Sequence, residues 1–151
     1  MARASVARGS TSRRNILPPG HVAGADHERG YSYGVRVGDM VWISGQIPKD
    51  ERGDLVGAGD IEAQAVQVME NVKAVVEAAG ATMDDVVKIA TYVTDRRYRD
   101  PVQAVRKRYF RAPNFPASAT TVVEMLLPDV LVEVEAVAVI GSGLPREGDG
   151  A

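Results

Sequence analysis

Two glutamates near the end of the chain are the residues best suited to proton transfer. Glu133 and Glu135 lie two apart in the run 131–140, whose branched apolar residues are typical of a β-strand. Side chains two apart point to the same face of a strand. Burial among apolar neighbours raises the pKa of a carboxyl group and suits it to general acid–base catalysis at neutral pH. The alternative is that both carboxylates join an inter-subunit network with the arginines of the second predicted helix.

Other residues with catalytic or ligand-binding chemistry are few. The chain has no cysteine, which excludes disulfides, thiolate metal sites and a cysteine nucleophile. Its two histidines, His21 and His27, lie in the N-terminal segment, and the run 26–28 shows no recognised metal-ligand spacing. No dinucleotide or nucleotide phosphate motif is present, and Gly57 and Gly59 fit a turn before a helix. We therefore expect no metal and no cofactor.

Charge is unevenly distributed along the chain. The formal net charge is −2, from 18 basic and 20 acidic residues. Residues 1–14 hold four arginines and no acidic residue, so the remainder holds 14 basic and 20 acidic residues and carries −6. Nucleic-acid-binding faces are basic, so we expect no nucleic-acid partner. One basic cluster fits either anion recognition or a solvated helix face: Arg106, Lys107, Arg108 and Arg111.

Length and hydropathy favour a one-domain protein outside the membrane. A chain of 151 residues suits one domain. No apolar run approaches the ~20 residues of a membrane span, and the basic start lacks the apolar stretch of a secretory signal. We expect a cytoplasmic location and no membrane partner. Composition divides the chain into a flexible Arg/Gly/Ser-rich segment (1–28), a patterned domain (29–140) and a flexible tail (141–151).

Hydrophobic periodicity in the domain predicts the element order β-β-α-β-α-β-β. Gly38-Asp39 joins the first two strands as a hairpin, and Asp60 and Gly80 bound a long helix. Asp100 and Pro101 open the second helix as its N-cap and first helical residue. The predicted strands are 31–37, 40–46, 86–94, 120–127 and 131–140.

Packing these elements together predicts an α+β two-layer sandwich, with two helices on one face of a mixed β-sheet. The last strand is apolar on both faces, with Val132 and Val134 on one and Val137 and Val139 on the other. Helices cover only one face, so the second apolar face requires a partner. We therefore expect a homo-oligomer.

Five segments share their order and spacing with one known family. They are VWISGQIP (41–48), NVKAVVEAAG (71–80), VKIATYVTD (87–95), FPA (115–117) and LP…VEVEAVAV (127–139). Together they resemble the RidA/YjgF family of reactive-intermediate deaminases. The resemblance implies a chorismate-mutase-like fold and a homotrimer with small-molecule clefts between neighbouring subunits. Deaminase members hydrolyse imines and enamines, such as 2-aminoacrylate, to keto acids and ammonia without a metal or organic cofactor.

The resemblance also assigns residues to the cleft. Glu133 matches the glutamate that helps to position or activate water, and Tyr31 matches a cleft tyrosine. Ser44 and Gly45 match a Ser-Gly pair whose backbone lines the cleft. Two further matches are a position where asparagine is common and one often held by Cys or Thr, here Gln103 and Thr120.

One position departs from the family pattern. Active deaminases carry an arginine directly after Phe-Pro-Ala, which holds the substrate carboxylate bidentately. Here Ser118 or, in another register, Ala119 stands in its place. Losing one partner of a desolvated charge pair costs about 2–5 kcal/mol, roughly 30- to several-thousand-fold in binding. We therefore expect hydrolysis of standard 2-imino acids to be weak or absent.

Three functions are compatible with this departure. The first, which we predict, is a cofactor-free hydrolase or deaminase for another substrate, such as one without an α-carboxylate. Glu133 would handle the water, with Ser118 or Thr120 as neutral hydrogen-bond partners. In the second, Arg36 or an arginine of the second helix reaches the cleft and restores the usual chemistry. The third is a non-catalytic small-molecule-binding or regulatory trimer.

Overall fold

Six strands form one mixed sheet, with two helices packed on one of its faces. The structure is a computed structural model, which describes residues 12–21 and 30–143. In chain order the elements are β1 (Arg13–Ile16), β2 (Gly34–Val37), β3 (Met40–Gln46), α1 (Ile61–Ala78), β4 (Val86–Val93), α2 (Arg99–Lys107), β5 (Ala117–Val122) and β6 (Val132–Val139). The strand order is β1-β2-β3-β6-β4-β5, and only the β4–β5 pair is parallel within the described residues. The predicted α+β class is confirmed.

Helix α1 supplies much of the hydrophobic core, which lies between the helices and the sheet. Asp60 accepts hydrogen bonds from the backbone N–H groups of Glu62 (3.0 Å) and Ala63 (3.1 Å), and so caps the first turn as predicted. Gly80 follows the helix with a φ of +85°, a conformation that glycine adopts without strain. The buried stripe of α1 packs in the core: Ala65, Val68, Met69, Val72, Val75 and Val76.

The two faces of the sheet differ in what covers them. Val132 and Val134 of β6 are buried on the helix side. Met40 and Trp42 of β3 point to the opposite side, and 41% and 43% of their respective surfaces stay exposed in the single chain. We call this second side the open face.

In the described part of the chain, neither helix combines the length and the apolar character that crossing a membrane requires.

Both terminal segments predicted to be flexible contain ordered residues. Strand β1 pairs with β2, and its Ile16 is 2% exposed in the core. The prediction was wrong there because a four-residue strand with one buried side chain shows no periodicity. In the C-terminal tail, the N–H groups of Gly141 and Gly143 donate to Asp85 Oδ1 at 3.0 and 2.9 Å. Residues 1–11, 22–29 and 144–151 lie outside the described part of the chain.

Two further elements differ from the prediction in their bounds. Helix α2 begins at Arg99, because Asp95, and not Asp100, caps the preceding 3₁₀ turn by accepting from the Arg97 N–H at 2.8 Å. Strand β5 covers Ala117–Val122 instead of 120–127. Its residues pair in parallel with residues 88–93 of β4, and this pairing between distant segments sets where the strand begins.

Candidate functional site

Glu133 lies on the open face, against the backbone of β3. Its neighbours Val132 and Val134 are buried on the helix side, so strand alternation turns Glu133 to the open face. A register shift near the end of β3 brings Gly45 over the Glu133 side chain. A Cβ atom on Gly45 would lie 3.0 Å from the carboxyl carbon of Glu133 and closer still to Oε1. A larger residue at position 45 would therefore displace the Glu133 carboxylate from this place.

Polar contacts hold the backbone on either side of Gly45. Ser44 donates its hydroxyl to the Ser32 carbonyl at 2.6 Å and its N–H to the Tyr33 carbonyl at 2.9 Å. The buried side-chain amide of Gln46 donates to the Ser44 carbonyl at 2.8 Å. These bonds fix the end of β3, whose backbone faces the Glu133 carboxylate.

The surroundings of Glu133 make it a stronger base than an ordinary carboxylate. Burial raises the pKa of Glu133, and the negative charge of Glu135 raises it further. Glu135 accepts a hydrogen bond from the Tyr92 hydroxyl at 3.1 Å, and this bond is the main cause of the raised pKa of Tyr92. Tyr92 was not among the predicted site residues. Its place on the open face could have been predicted, because it follows Thr91 in a strand and Thr91 is buried on the helix side.

Tyr31 and Gly45 line one cavity, of about 500 Å³, next to this carboxylate. Leu127 lines the same cavity, and Tyr31 is 55% exposed to it and to solvent. The structure therefore brings four predicted residues into one region: Tyr31, Ser44, Gly45 and Glu133. Their chemical roles stay predictions.

The other three predicted residues lie elsewhere. Gln103, Ser118 and Thr120 line a cavity of about 460 Å³ between α2 and β5. Ser118 and Thr120 pair with Ile89 and Thr91 of β4, whose side chains are buried on the helix side. Paired residues of neighbouring strands share a face. In one chain, the two sets of predicted residues therefore lie on opposite faces of the sheet.

An arginine of α2 stands beside Ser118 in this second cavity. Arg106 donates from Nη2 to Ser118 Oγ at 2.7 Å and from Nη1 to Thr91 Oγ1 at 3.2 Å. Its Nε is buried and has no acceptor among the described residues. Burial lowers the pKa of the Arg106 guanidinium. The sequence showed Arg106 only within a basic cluster; its position one helical turn after Gln103 was the available signal.

Arg36, the other arginine considered for the cleft, lines neither cavity. Its Nη1 donates to the Ala79 carbonyl and its Nε to the Gly38 carbonyl, both at 2.8 Å. Ala79 ends α1, so Arg36 satisfies a carbonyl at a helix terminus where positive charge is favourable. Within one chain, Arg36 is therefore held at this helix end and not at either cavity.

Histidine and acidic residues form no metal cluster in the described ranges. His21 packs its ring edge-on against Tyr33, with ring centroids 4.4 Å apart. Across residues 12–21 and 30–143, no three histidine or acidic side chains are grouped so that they could hold a metal ion. Asp26, His27 and Glu28 lie outside the described residues.

Known proteins are similar to this chain in fold and in sequence. Residues 24–140 match the family model described as Endoribonuclease L-PSP. The chain is 45% identical to the 2-iminobutanoate/2-iminopropanoate deaminase of Salmonella typhimurium over 111 residues, which are 72% of this chain and 86% of that protein. RidA from an Antarctic Psychrobacter has a similar structure, with a TM-score of 0.73, 34% identity, and coverage of 84% of this chain and 99% of that one. For Escherichia coli TdcF with bound serine, the TM-score is 0.69 and the identity 32%, over 83% of this chain and 98% of that one. The chain therefore belongs to the RidA/YjgF family, whose sequence model carries the description Endoribonuclease L-PSP.

Proposed function

We propose that the protein hydrolyses the C=N bond of a small imine, or of the imine tautomer of an enamine, at a site between two copies of the chain. The observation that carries the proposal is the Glu133 carboxyl group, half-buried against Gly45 with its pKa raised by burial and by Glu135. A carboxylate with a raised pKa accepts a proton from water more readily than an ordinary one. The reaction needs only the side chains of the protein.

Glu133 acts as the base toward water in the proposed reaction. The imine reacts as its protonated form, the iminium ion, which is also what an enamine becomes when it takes a proton on carbon. Water adds its oxygen to the iminium carbon while the Glu133 carboxylate takes one of the water protons, which forms a neutral carbinolamine. Glu133 returns this proton to the nitrogen, the C–N bond breaks as the carboxylate takes the remaining hydroxyl proton, and the products are a carbonyl compound and ammonia.

A second copy is needed because one chain does not bring the predicted cleft residues together. Glu133 lies on the open face, whereas Ser118 and Thr120 lie on the helix face. Two copies packed side by side bring the region of Glu133 in one copy next to Ser118 and Thr120 of the other. The exposed apolar side chain of Trp42 on the open face supports such an interface. A homotrimer, as the family resemblance implies, satisfies this requirement.

One relative supports the reaction class, because the Salmonella typhimurium protein is named as a 2-iminobutanoate/2-iminopropanoate deaminase. The TdcF structure, which contains serine, supports a small-molecule ligand. The neutral Ser118 favours the predicted substrate without a carboxylate. Arg106, which donates to the Ser118 hydroxyl, instead supports the alternative in which an arginine of the second helix holds a carboxylate.

Ammonia release from a panel of imines tests the proposal. The imines are generated in solution by oxidases, from amino acids and from amines without a carboxylate, and the uncatalysed rate is subtracted. The proteins are the wild type, Glu133→Gln and the control Glu77→Gln, whose carboxylate is exposed on α1 and lines neither cavity. We expect Glu133→Gln to lower kcat/KM at least about 100-fold, as loss of a general base does. Glu77→Gln should match the wild type.

Two results would contradict the proposal. An absence of wild-type turnover on every imine would remove the hydrolase function. Equal rates for wild type and Glu133→Gln would remove Glu133 as the base. If the wild type lacked turnover but bound keto acids, and Glu133→Gln altered that binding, the non-catalytic binding trimer would be the better description.

A further inference from the structure

The cavity beside Glu133 is also lined by a histidine. His21 borders the same space of about 500 Å³ as Tyr31 and Gly45, and its side chain is partly buried. The proposed reaction assigns the proton transfers after the iminium ion to Glu133, but it leaves open which group gives an enamine its proton on carbon. Imidazole is the side chain that gains and loses a proton near neutral pH. This makes His21 the first group of the cavity to consider as that donor.

Two contacts hold the imidazole of His21 in place. Its ring packs edge-on against Tyr33, with ring centroids 4.4 Å apart. Its Nδ1 lies 3.2 Å from the carbonyl oxygen of Pro19. A carbonyl only accepts, so Nδ1 is the donor in this bond and carries a hydrogen in both charge states of the ring. Nε2 is then the nitrogen that gains and loses the proton, and no residue in the described ranges bonds to it.

The ring is joined to the strand end that faces Glu133. The carbonyl of Tyr33, the residue against which the ring packs, accepts the N–H of Ser44 at 2.9 Å. Ser44 directly precedes Gly45, and Gly45 lies against the Glu133 carboxylate. The imidazole and the carboxylate are therefore held by one ordered region, and a small ligand in this cavity can meet both.

Other side chains around His21 are less suited to giving up a proton. Two cavities border His21, and their described linings carry five charged side chains: Lys49, Asp50, Glu51, Arg52 and Glu70. Ordinary ammonium, guanidinium and phenol groups keep their protons at neutral pH, and ordinary carboxyl groups have already lost theirs. Asp50 is also engaged in its own turn, where it accepts from the N–H groups of Arg52 and Asp54 at 2.9 Å. Within these described linings, the imidazole is the group whose chemistry fits a proton donor.

We propose that His21 is the acid of this site and that its imidazolium gives the proton that converts an enamine into the iminium ion. This inference rests on the proposed function, because it assigns a second residue to the same reaction. The proton leaves Nε2, the electrons of the C=C bond form the new C–H bond, and the nitrogen lone pair forms the C=N bond. Glu133 stays ionised and accepts from water in the next step. Solvent afterwards returns a proton to His21 and takes one from Glu133.

A pair of substrates with the same carbon skeleton tests the inference. A dehydratase makes the enamine 2-aminobut-2-enoate from threonine, and an oxidase makes the imine 2-iminobutanoate from 2-aminobutanoate. Ultraviolet absorbance follows the loss of the enamine and ammonia release follows hydrolysis, each after subtraction of the uncatalysed rate. We expect His21→Gln to lower kcat/KM for the enamine about 100-fold or more, as loss of a general acid does. Its kcat/KM for the imine should stay within about threefold, because an imine takes its proton on nitrogen from solvent.

Chemical rescue shows whether the imidazole itself is needed. His21→Ala should lose the enamine activity, and free imidazole in the solution should raise it again by about tenfold or more. Imidazole should not restore Glu133→Gln, which lacks the base and serves as the matched control. Circular dichroism, together with the retained imine rate, shows that the His21 variants are folded.

Reaction of the enamine in D2O gives a second readout of the donor. A fixed imidazolium reaches only one face of the enamine, so wild type should place deuterium on one face of C3 of 2-oxobutanoate. Immediate enzymatic reduction to 2-hydroxybutanoate preserves the label for analysis by NMR. His21→Gln should give the same labelling as the dehydratase alone, because the deuteron then comes from solvent.

The two substrates separate this inference from the proposed function. If His21→Gln slows the enamine and the imine equally, or leaves both rates unchanged, the inference is overturned and the proposed function stands on Glu133. An enamine that disappears at the same rate with and without the protein also overturns the inference. If no imine is hydrolysed but the loss of the enamine still depends on His21, the proposed function fails and His21 stands as the proton donor of an enamine–imine isomerisation.

Discussion

The carboxyl group of Glu133 occupies the space that a Cβ atom on Gly45 would fill. The two residues belong to the neighbouring strands β6 and β3, and the register shift in β3 lays its backbone over the carboxylate. Gly45 therefore lets the carboxylate approach the backbone closely, and this backbone covers one side of it. That cover contributes to the burial that raises the pKa of Glu133.

Gly45→Ala is expected to lower kcat/KM for imine hydrolysis about tenfold or more while the protein stays folded. The added methyl group displaces the Glu133 carboxylate, and small displacements of a catalytic group reduce rates strongly. Steady-state kinetics of a double-mutant cycle with Glu133→Ala measures the coupling. In the Glu133→Ala background, Gly45→Ala should have little further effect. Fully additive losses would show that Gly45 acts independently of Glu133.

Glu135→Gln is expected to move the acid limb of the pH–rate profile to lower pH. The ionised form of Glu133 is the active one, so the rate falls as the pH drops through its pKa. The charge of Glu135 raises that pKa, so removing the charge lowers the pKa and the limb follows. Tyr92→Phe removes the hydrogen bond to Glu135 but leaves its charge, and should shift the limb less. A limb that moves to higher pH in Glu135→Gln would contradict this account.

Gln64→Leu is expected to lower the free energy of unfolding by about 3 kcal/mol or more, because each buried polar group left unpaired costs about 1–3 kcal/mol. Gln64 is fully buried and donates to the carbonyls of Gly57 (3.1 Å) and Asp129 (2.7 Å). Its side-chain oxygen accepts from the Leu131 N–H at 2.8 Å. Asp60→Ala, which removes an exposed cap, should cost only about 1 kcal/mol. Urea unfolding measures both variants, and similar losses would count against this ranking.

Coexpression of two inactive variants tests whether the site is shared between subunits. Glu133→Gln removes the base, and Ser118→Trp fills the cavity between α2 and β5. In randomly mixed oligomers, about one quarter of the inter-subunit sites combine an intact Glu133 from one chain with an intact Ser118 from another. Ammonia release should therefore recover to about a quarter of the wild-type rate, while each variant alone stays inactive. Mixed oligomers without any recovery would place the whole site within one chain.

Local patterns in the sequence predicted most of the fold because periodicity reports which side of an element is buried. The capped helix α1, the β2–β3 hairpin and the alternation of β6 were all predicted in this way and are confirmed. Strand β1 and the bounds of β5 were not. Both depend on pairing with a distant strand, which leaves no periodic signal in a short segment.

The sequence by itself determined that Glu133 and Glu135 share a face, and the family resemblance placed Tyr31, Ser44 and Gly45 in the same region. Alternation and motif spacing are properties of a short stretch of chain, so they can be read without the fold. Only the tertiary structure decided that Arg106 stands beside Ser118. That contact depends on how helix α2 packs against β5. The local pattern of each segment shows which of its sides is buried, but it does not show which other segment packs there.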